Sequence, residues 1–129
     1  MTDYEVKTAI LINTGFDDRE CNSLMYEDWK VKVVEEIREV FAGDVTLAGY
    51  ITSNLNFAFT GYKVKLEYTF SCNDESEQEA ESFSEYCIKG IEHNLGKLGY
   101  RVENITCHAC EMDMGWLDEL EERIFHKGS

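Results

Sequence analysis

The segment from Tyr62 to Cys110 constrains the fold most, because it has the pattern of a strand, a long helix and a second strand. In its first part apolar and polar residues alternate, and the apolar ones are Val64, Leu66, Tyr68 and Phe70. This period of two is typical of a strand with one face on a core and the other in water. We therefore expect a half-buried strand at this point.

An amphipathic helix is predicted after this strand. Ser76 and Glu79 have the spacing of a capping box. Apolar residues then recur at steps of three and four, namely Ala80, Phe83, Cys87, Ile91, Leu95 and Leu98. Gly99 stands where a helix often ends in a left-handed residue. Residues 100–110 follow as another strand.

The N-terminal part predicts a strand and then a helix. The strand, residues 4–13, carries apolar residues increasingly on both faces, which favours the interior of a sheet. The helix is indicated by Trp29, Val33, Ile37, Val40 and Phe41, with Gly43 at its end. Glu27 and Asp28 are expected in its first turn, where the helix dipole favours anions.

Residues 45–59 alternate again and predict either one bent strand or two short ones. Gly49 or the Ser53-Asn54 pair is the expected bulge or turn. Thr60-Gly61 is the expected hairpin turn into the next strand.

The element order is then β-α-β-β-α-β, followed by a C-terminal helix that Asp113 caps and that ends near Lys127. This order predicts an α+β, ferredoxin-like fold: an antiparallel sheet with two helices on one face. A length of 129 residues fits one domain, residues 1–129.

The charge balance bears on partners. The formal net charge is −14, from 12 Lys and Arg against 26 Asp and Glu. Such a field repels nucleic-acid backbones and anionic membranes and attracts basic partners. We therefore expect neither direct nucleic-acid binding nor a membrane interaction. Five cysteines, with no secretory signal at the N-terminus, favour a reducing compartment and a cytoplasmic location.

Clustered acids are the candidate partner-binding site. One group lies at the start of the long helix and comprises Asp74, Glu75, Glu77, Glu79, Glu81 and Glu85; the other lies on the C-terminal helix and comprises Asp118, Glu119, Glu121 and Glu122. Glu77, Glu81 and Glu85 step by four and are expected to stack opposite the apolar stripe. Lysine is nearly absent here, so the acids predict a surface that imitates nucleic-acid phosphates for a basic protein. A solvated face is the alternative. A hard-cation site is disfavoured because there is no EF-hand loop.

Cys107 and Cys110 form a C-x-x-C motif, which zinc sites and dithiol redox sites share. On a regular strand the two thiols would point to opposite faces, so small residues within a strand are the preferred interpretation. Further ligands, if zinc is bound, would come from Cys21, Cys72, Cys87 and His126. His93 is expected at the surface. We predict no catalytic residue, no metal and no cofactor.

These observations favour a non-enzymatic interaction protein that inhibits or neutralises a basic, nucleic-acid-binding partner. Immunity proteins and phage-encoded antagonists of host defence offer an analogy of size and charge. The alternative is a small-ligand module assembled by oligomers, a homodimer included, through an edge or the open face of the sheet. Its contacts would come from Phe57, Phe59, Tyr62, Tyr68 and Phe70.

Overall fold

The first strand lies in the interior of the sheet, as its apolar residues on both faces predict. The computed structural model describes residues 1–15 and 23–111. In these ranges the elements are β1 (Thr2–Asn13), α1 (Ser23–Gly43), α2 (Val45–Tyr50), β2 (Asn56–Thr60), β3 (Lys63–Asp74), α3 (Glu77–Lys97) and β4 (Arg101–Glu111). The predicted C-terminal helix, residues 113–127, lies outside the described residues.

The fold is α+β, with a four-stranded antiparallel sheet and three helices in the described ranges. The strand order is β2-β3-β1-β4. β1 pairs antiparallel with both β3 and β4, and β2 pairs antiparallel with β3. The element order differs from the predicted β-α-β-β-α-β because α2 stands between α1 and β2.

Alternate residues of β1 and β3 form one side of the core, as their period of two predicts. The buried apolar residues of these two strands are Tyr4, Val6, Ile10, Ile12, Val64, Leu66, Tyr68, Phe70 and Cys72. From α1 the core receives Val33, Ile37 and Phe41, with Trp29 and Val40 packed against it. Since α1 begins at Ser23, Glu27 and Asp28 lie beyond its first turn, contrary to prediction.

The buried side of α3 differs in part from the predicted stripe. Ala80, Cys87, Ile91 and Leu95 are buried and Phe83 packs against the core, but Ser84 and Ile88 are also fully buried. Leu98 is 41% exposed, because the helix ends at Lys97 and the chain turns away. The hydroxyls of Ser84 and Thr8 share a hydrogen bond of 2.9 Å within the helix–sheet interface.

The strand predicted over residues 45–51 is wrong, because Val45–Tyr50 form α2. Asp44 caps this helix, and its carboxylate accepts a hydrogen bond from the Leu47 backbone N–H at 3.0 Å. Leu47 is its buried residue, and Gly49 marks no bulge. Only the last four residues of the segment, 56–59, belong to a strand, β2.

Glycines with positive φ end two of the elements. Gly61 has φ 59° and is the first residue of the two-residue turn before Lys63, where a type II′ turn requires glycine. The hairpin turn is therefore Gly61-Tyr62 rather than Thr60-Gly61. Gly99 has φ 84° and ends α3 as predicted, because its N–H bonds to Gly96 O while Tyr100 N–H bonds to Leu95 O.

Candidate functional site

The register of the sheet brings acidic residues from distant segments to one end of the molecule. Thr2 pairs with Asp74 and Tyr4 pairs with Glu111, so the start of β1 lies between the ends of β3 and β4. Helix α3 begins close to the end of β3. We call the resulting group the acidic end, and it comprises Asp3, Glu5, Asp74, Glu75, Glu77, Glu79 and Glu111.

The acidic end includes four of the predicted site residues and adds Asp3, Glu5 and Glu111, which the sequence pattern missed. No local signal marks these three, because they join the others only through strand pairing.

Lysine and arginine do not neutralise the acidic end within residues 1–15 and 23–111. Lys63 and Arg101 instead contact Glu103, at 2.9 and 3.3 Å, near the opposite end of the sheet. The one side-chain hydrogen bond to Asp3 among the described residues comes from the uncharged amide of Asn73, at 2.7 Å. The charges of the acidic end therefore remain uncompensated by the described part of the chain.

Two carboxyl groups of the acidic end interact directly. The Ser76 hydroxyl accepts a hydrogen bond from the Glu79 N–H at 3.2 Å and caps α3, as predicted. A hydrogen bond to the Asp74 carboxyl raises the pKa of Glu79, and the nearby charge of Glu75 adds to this effect. The direction of this shift indicates that Glu79 has acidic neighbours rather than cations beside it.

Glu103, in contrast to Glu79, has cations beside it. Hydrogen bonds from Lys63, then Asn13, lower the pKa of Glu103 to about 2, with a smaller contribution from Arg101. The two ends of the sheet thus differ in the groups that surround their carboxyl groups. At one end cations hold a carboxylate in its charged form, whereas at the other end no lysine or arginine of the described residues pairs with a carboxyl group.

Glu81 does not lie opposite the apolar stripe, contrary to prediction. It shares a side of α3 with the buried residues Ser84 and Ile88, which follow it at steps of three and four. Its side chain is half-buried, and its Oε1 accepts a hydrogen bond from the Ala109 N–H at 3.0 Å. Glu81 therefore covers the outer edge of β4.

Glu81→Ala is expected to lower the free energy of unfolding by about 1–2 kcal/mol, because the Ala109 N–H loses a charged acceptor. Hydrogen exchange measured by NMR should show faster exchange at Ala109. Glu81→Gln is the control, since its amide oxygen can still accept the bond and should keep most of the protection. Unchanged exchange at Ala109 in the alanine variant would contradict this assignment.

The other predicted acids have different surroundings. Glu85 is exposed but forms an ion pair with Lys89 at 3.6 Å, so it is partly neutralised. The second predicted group, Asp118, Glu119, Glu121 and Glu122, lies outside the described residues. The partner-binding role of all these residues remains a prediction.

Cys107 and Cys110 lie on opposite faces of β4, as the strand period predicts: Cys107 is half-buried on the core side and Cys110 is exposed. Burial raises the pKa of the Cys107 thiol, although Ser84 and Thr8 offset part of this rise. A redox thiol requires the opposite shift. In the described ranges no three His, Cys, Asp or Glu residues are grouped as metal ligands.

Among the described residues, the remaining candidate ligands form no metal-binding group with other His, Cys, Asp and Glu residues. Cys72 and Cys87 are buried, while Cys21 and His126 fall outside the described residues. His93 is exposed, as predicted.

The aromatic residues expected for oligomer contacts do not lie on the open face of the sheet. Tyr68 and Phe70 are buried in the core, because their positions in β3 face the helices. Phe57 and Phe59 pack against the same core from β2, and Tyr62 is exposed in the turn. The open face instead carries polar residues around a shallow groove of about 260 Å³, among them Lys7, Glu67 and Thr106.

The described helices include none that is long and apolar enough to cross a membrane. Comparison with protein-family models gives no match, and neither the curated proteins nor the solved structures include one.

Proposed function

We propose that this protein binds a basic, nucleic-acid-binding protein through the acidic end and thereby inhibits or neutralises it, with no chemistry of its own. The observation that carries the proposal is the group of carboxylates from three separate segments that no described lysine or arginine neutralises. The manner of action resembles that of an immunity protein or a phage-encoded anti-defence protein.

Such a surface suits a partner that normally binds phosphates. Arginine side chains that contact phosphate oxygens bind carboxylates with the same planar, bidentate geometry. Six of these acids lie on paired strands or on the capped helix, and Glu75 lies in the short link between β3 and α3, so little conformational entropy is lost when a partner binds. The charge chiefly increases the association rate, and we expect affinity to fall as salt screens it.

We also infer a ferredoxin-like arrangement for the sheet, with α2 as an addition. β1 and β2 are parallel with β3 between them, because each is antiparallel to β3. For the same reason β3 and β4 are parallel with β1 between them. This interleaving of two β-α-β units supports the split β-α-β arrangement.

The proposal is tested by neutralising three acids of the acidic end together, with Asp74→Asn, Glu77→Gln and Glu79→Gln. An octa-arginine peptide serves as the basic probe, and calorimetry at low salt measures its affinity. We expect a loss of about 10- to 100-fold, since each lost charge contact contributes on the order of 0.5–1 kcal/mol.

The matched control makes the same change in net charge on exposed acids elsewhere: Asp28→Asn, Glu39→Gln and Glu92→Gln. The affinity of this control variant for the peptide should fall less than about threefold. Its net charge changes by the same amount, but the acidic end stays intact. Equal losses in the two triple variants would show that only net charge matters and would overturn the proposed site.

Affinity capture with the same proteins as baits tests the partner class. The unmodified chain and the control should retain a basic protein that added double-stranded DNA displaces. The acidic-end variant should not retain it. Capture that is indifferent to the three substitutions, or to DNA, would reject inhibition by nucleic-acid mimicry.

A further inference from the structure

The edges of the sheet are protected unequally. Along β4 the Glu81 carboxylate accepts the Ala109 N–H, and a bulge interrupts the pairing with β1 after Leu11. β4 also carries charged side chains, a common means of preventing edge-to-edge association. Where β3 extends beyond β2, its edge is covered, because Thr52 N–H bonds to Thr69 O at 2.9 Å.

Strand β2 lacks such protection within the described ranges. It contains no charged residue, and neither does any position from Val45 to Tyr62. Thr60 and Lys63 close the two-residue turn and bond to each other, so the alternate residues Phe57 and Phe59 direct their backbone N–H and C=O groups outward. Unpaired groups of this kind readily pair with another strand.

The sequence of β2 is complementary to itself. It reads Asn-Phe-Ala-Phe-Thr, which is symmetric in side-chain type about Ala58. An antiparallel pairing with a two-fold axis at Ala58 places Phe57 of one copy opposite Phe59 of the other. These are the residues whose backbone groups face outward, so each pair can exchange two hydrogen bonds.

The flank of α1 beside β2 forms an apolar groove of about 430 Å³. Val31, which is 59% exposed, lines it together with Val34 and Phe59. The Arg38 guanidinium lies 5.5 Å from the centre of the Phe57 ring and extends the groove along the strand. A second copy at the edge of β2 would cover this apolar surface.

Charge favours a second copy over an acidic or a basic partner at this groove. Two chains of net charge −14 repel each other over most of their surfaces. The groove is balanced, with Glu27 and Glu35 against Lys30 and Arg38. In a two-fold interface the same patch of each copy is in contact, so the acids of one copy can face the basic residues of the other.

We propose that two copies of this chain associate through antiparallel β2–β2 pairing about Ala58, which joins their sheets into one continuous sheet. β2 pairs with residues 63–67 of β3, whereas the acidic end lies at and beyond residues 71–74 of that strand, so both acidic ends stay free in the dimer. The dimer therefore carries two exposed copies of the acidic end. This inference is independent of the partner-binding role.

Sedimentation velocity on the unmodified chain and on Ala58→Lys tests the proposal. Ala58 is exposed, but the lysine would stand opposite Lys65 of β3, so circular dichroism first checks that the variant monomer is folded. At the two-fold axis the two lysines would stand side by side, about 4.5–5.5 Å apart at Cβ. We expect dimer affinity to fall at least tenfold, even though the substitution makes each chain less negative.

Thr106→Lys is the control, because it makes the same charge change on the exposed face of β4. It should leave the dimer as strong as in the unmodified chain, or stronger. Salt should also strengthen the dimer by screening the repulsion of the copies, the opposite of its effect on a basic partner.

The proposal would be overturned if the unmodified chain were a monomer at all concentrations. It would also be overturned if Ala58→Lys did not weaken the dimer, or if Ala58→Lys and Thr106→Lys weakened it equally.

Hydrogen exchange tests the β2–β2 contact directly. The amides of Phe57 and Phe59 should be protected in the dimer and lose protection in Ala58→Lys, while the Ala58 amide, bonded to β3, stays protected. Rapid exchange of Phe57 and Phe59 in the unmodified dimer would place the interface elsewhere.

Discussion

Phe70→Ala is expected to lower the free energy of unfolding by about 3–5 kcal/mol, the range for an aromatic residue removed from a well-packed core. Phe70 is fully buried on β3. Its ring lies 5.2 Å from Tyr50 and 5.6 Å from Phe83, measured between ring centres. The substitution therefore removes contacts to α2 and α3 at once and leaves a cavity that neither helix can close alone.

Urea unfolding followed by circular dichroism measures this loss. Tyr86→Ala is the control, because Tyr86 is 74% exposed on α3 and its removal should change stability by no more than about 0.5 kcal/mol. A loss below about 1.5 kcal/mol for Phe70→Ala would mean that the aromatic cluster is not part of the packed core.

Ile91→Asp is expected to abolish the cooperative fold at neutral pH. Ile91 is fully buried on α3 beneath the sheet. A carboxylate at this position would lie within the hydrophobic core, and an unpaired buried charge costs on the order of 5 kcal/mol or more. That cost is comparable to the whole stability of a typical domain.

His93→Asp supplies the comparison for this second variant. It introduces the same residue two positions away on the exposed side of α3. Its proton NMR spectrum should keep the chemical-shift dispersion of the unmodified chain, whereas Ile91→Asp should show narrow dispersion. A dispersed spectrum for Ile91→Asp would contradict the assignment of Ile91 to the core.

The strands were predictable where their alternation was long. In β3 and β1 every second residue is buried over most of the strand, and this alternation identified the side of each strand that faces the core. The cap at Ser76 and the left-handed Gly99 bounded α3 to within a residue or two. These features are local, so a single sequence contains them.

Helix α2 was mispredicted because its six residues are too few to separate a period of two from a period of 3.6. Asp44 was the available signal, since its short carboxylate reaches the Leu47 N–H. The exposure of Leu98 depended on where α3 stops. Burial of Ser84 was not signalled either, because its hydroxyl is accommodated by Thr8 from a strand far away in sequence.

The candidate site was predictable only in part. The run of acids before and in α3 was visible, but the inference that Glu81 faces solvent failed because helix positions were assigned relative to Phe83 rather than to the buried Ser84 and Ile88. Asp3 and Glu111 were invisible as site residues. Their place depends on strand register, a long-range property that one sequence without a structure does not reveal.

The hydrogen bond between Thr8 and Ser84 has a consequence for the spacing of the negative charges. Displacing α3 by one turn along β1 would move it about 5.4 Å and break the hydrogen bond that joins the two buried hydroxyls. The helix is thereby fixed lengthwise on the strand, and the distance from Asp74 at the strand end to Glu79 in the first turn is fixed as well. The spacing of these charges is then fixed rather than adaptable, and the basic partner that we propose would need cations at matching intervals.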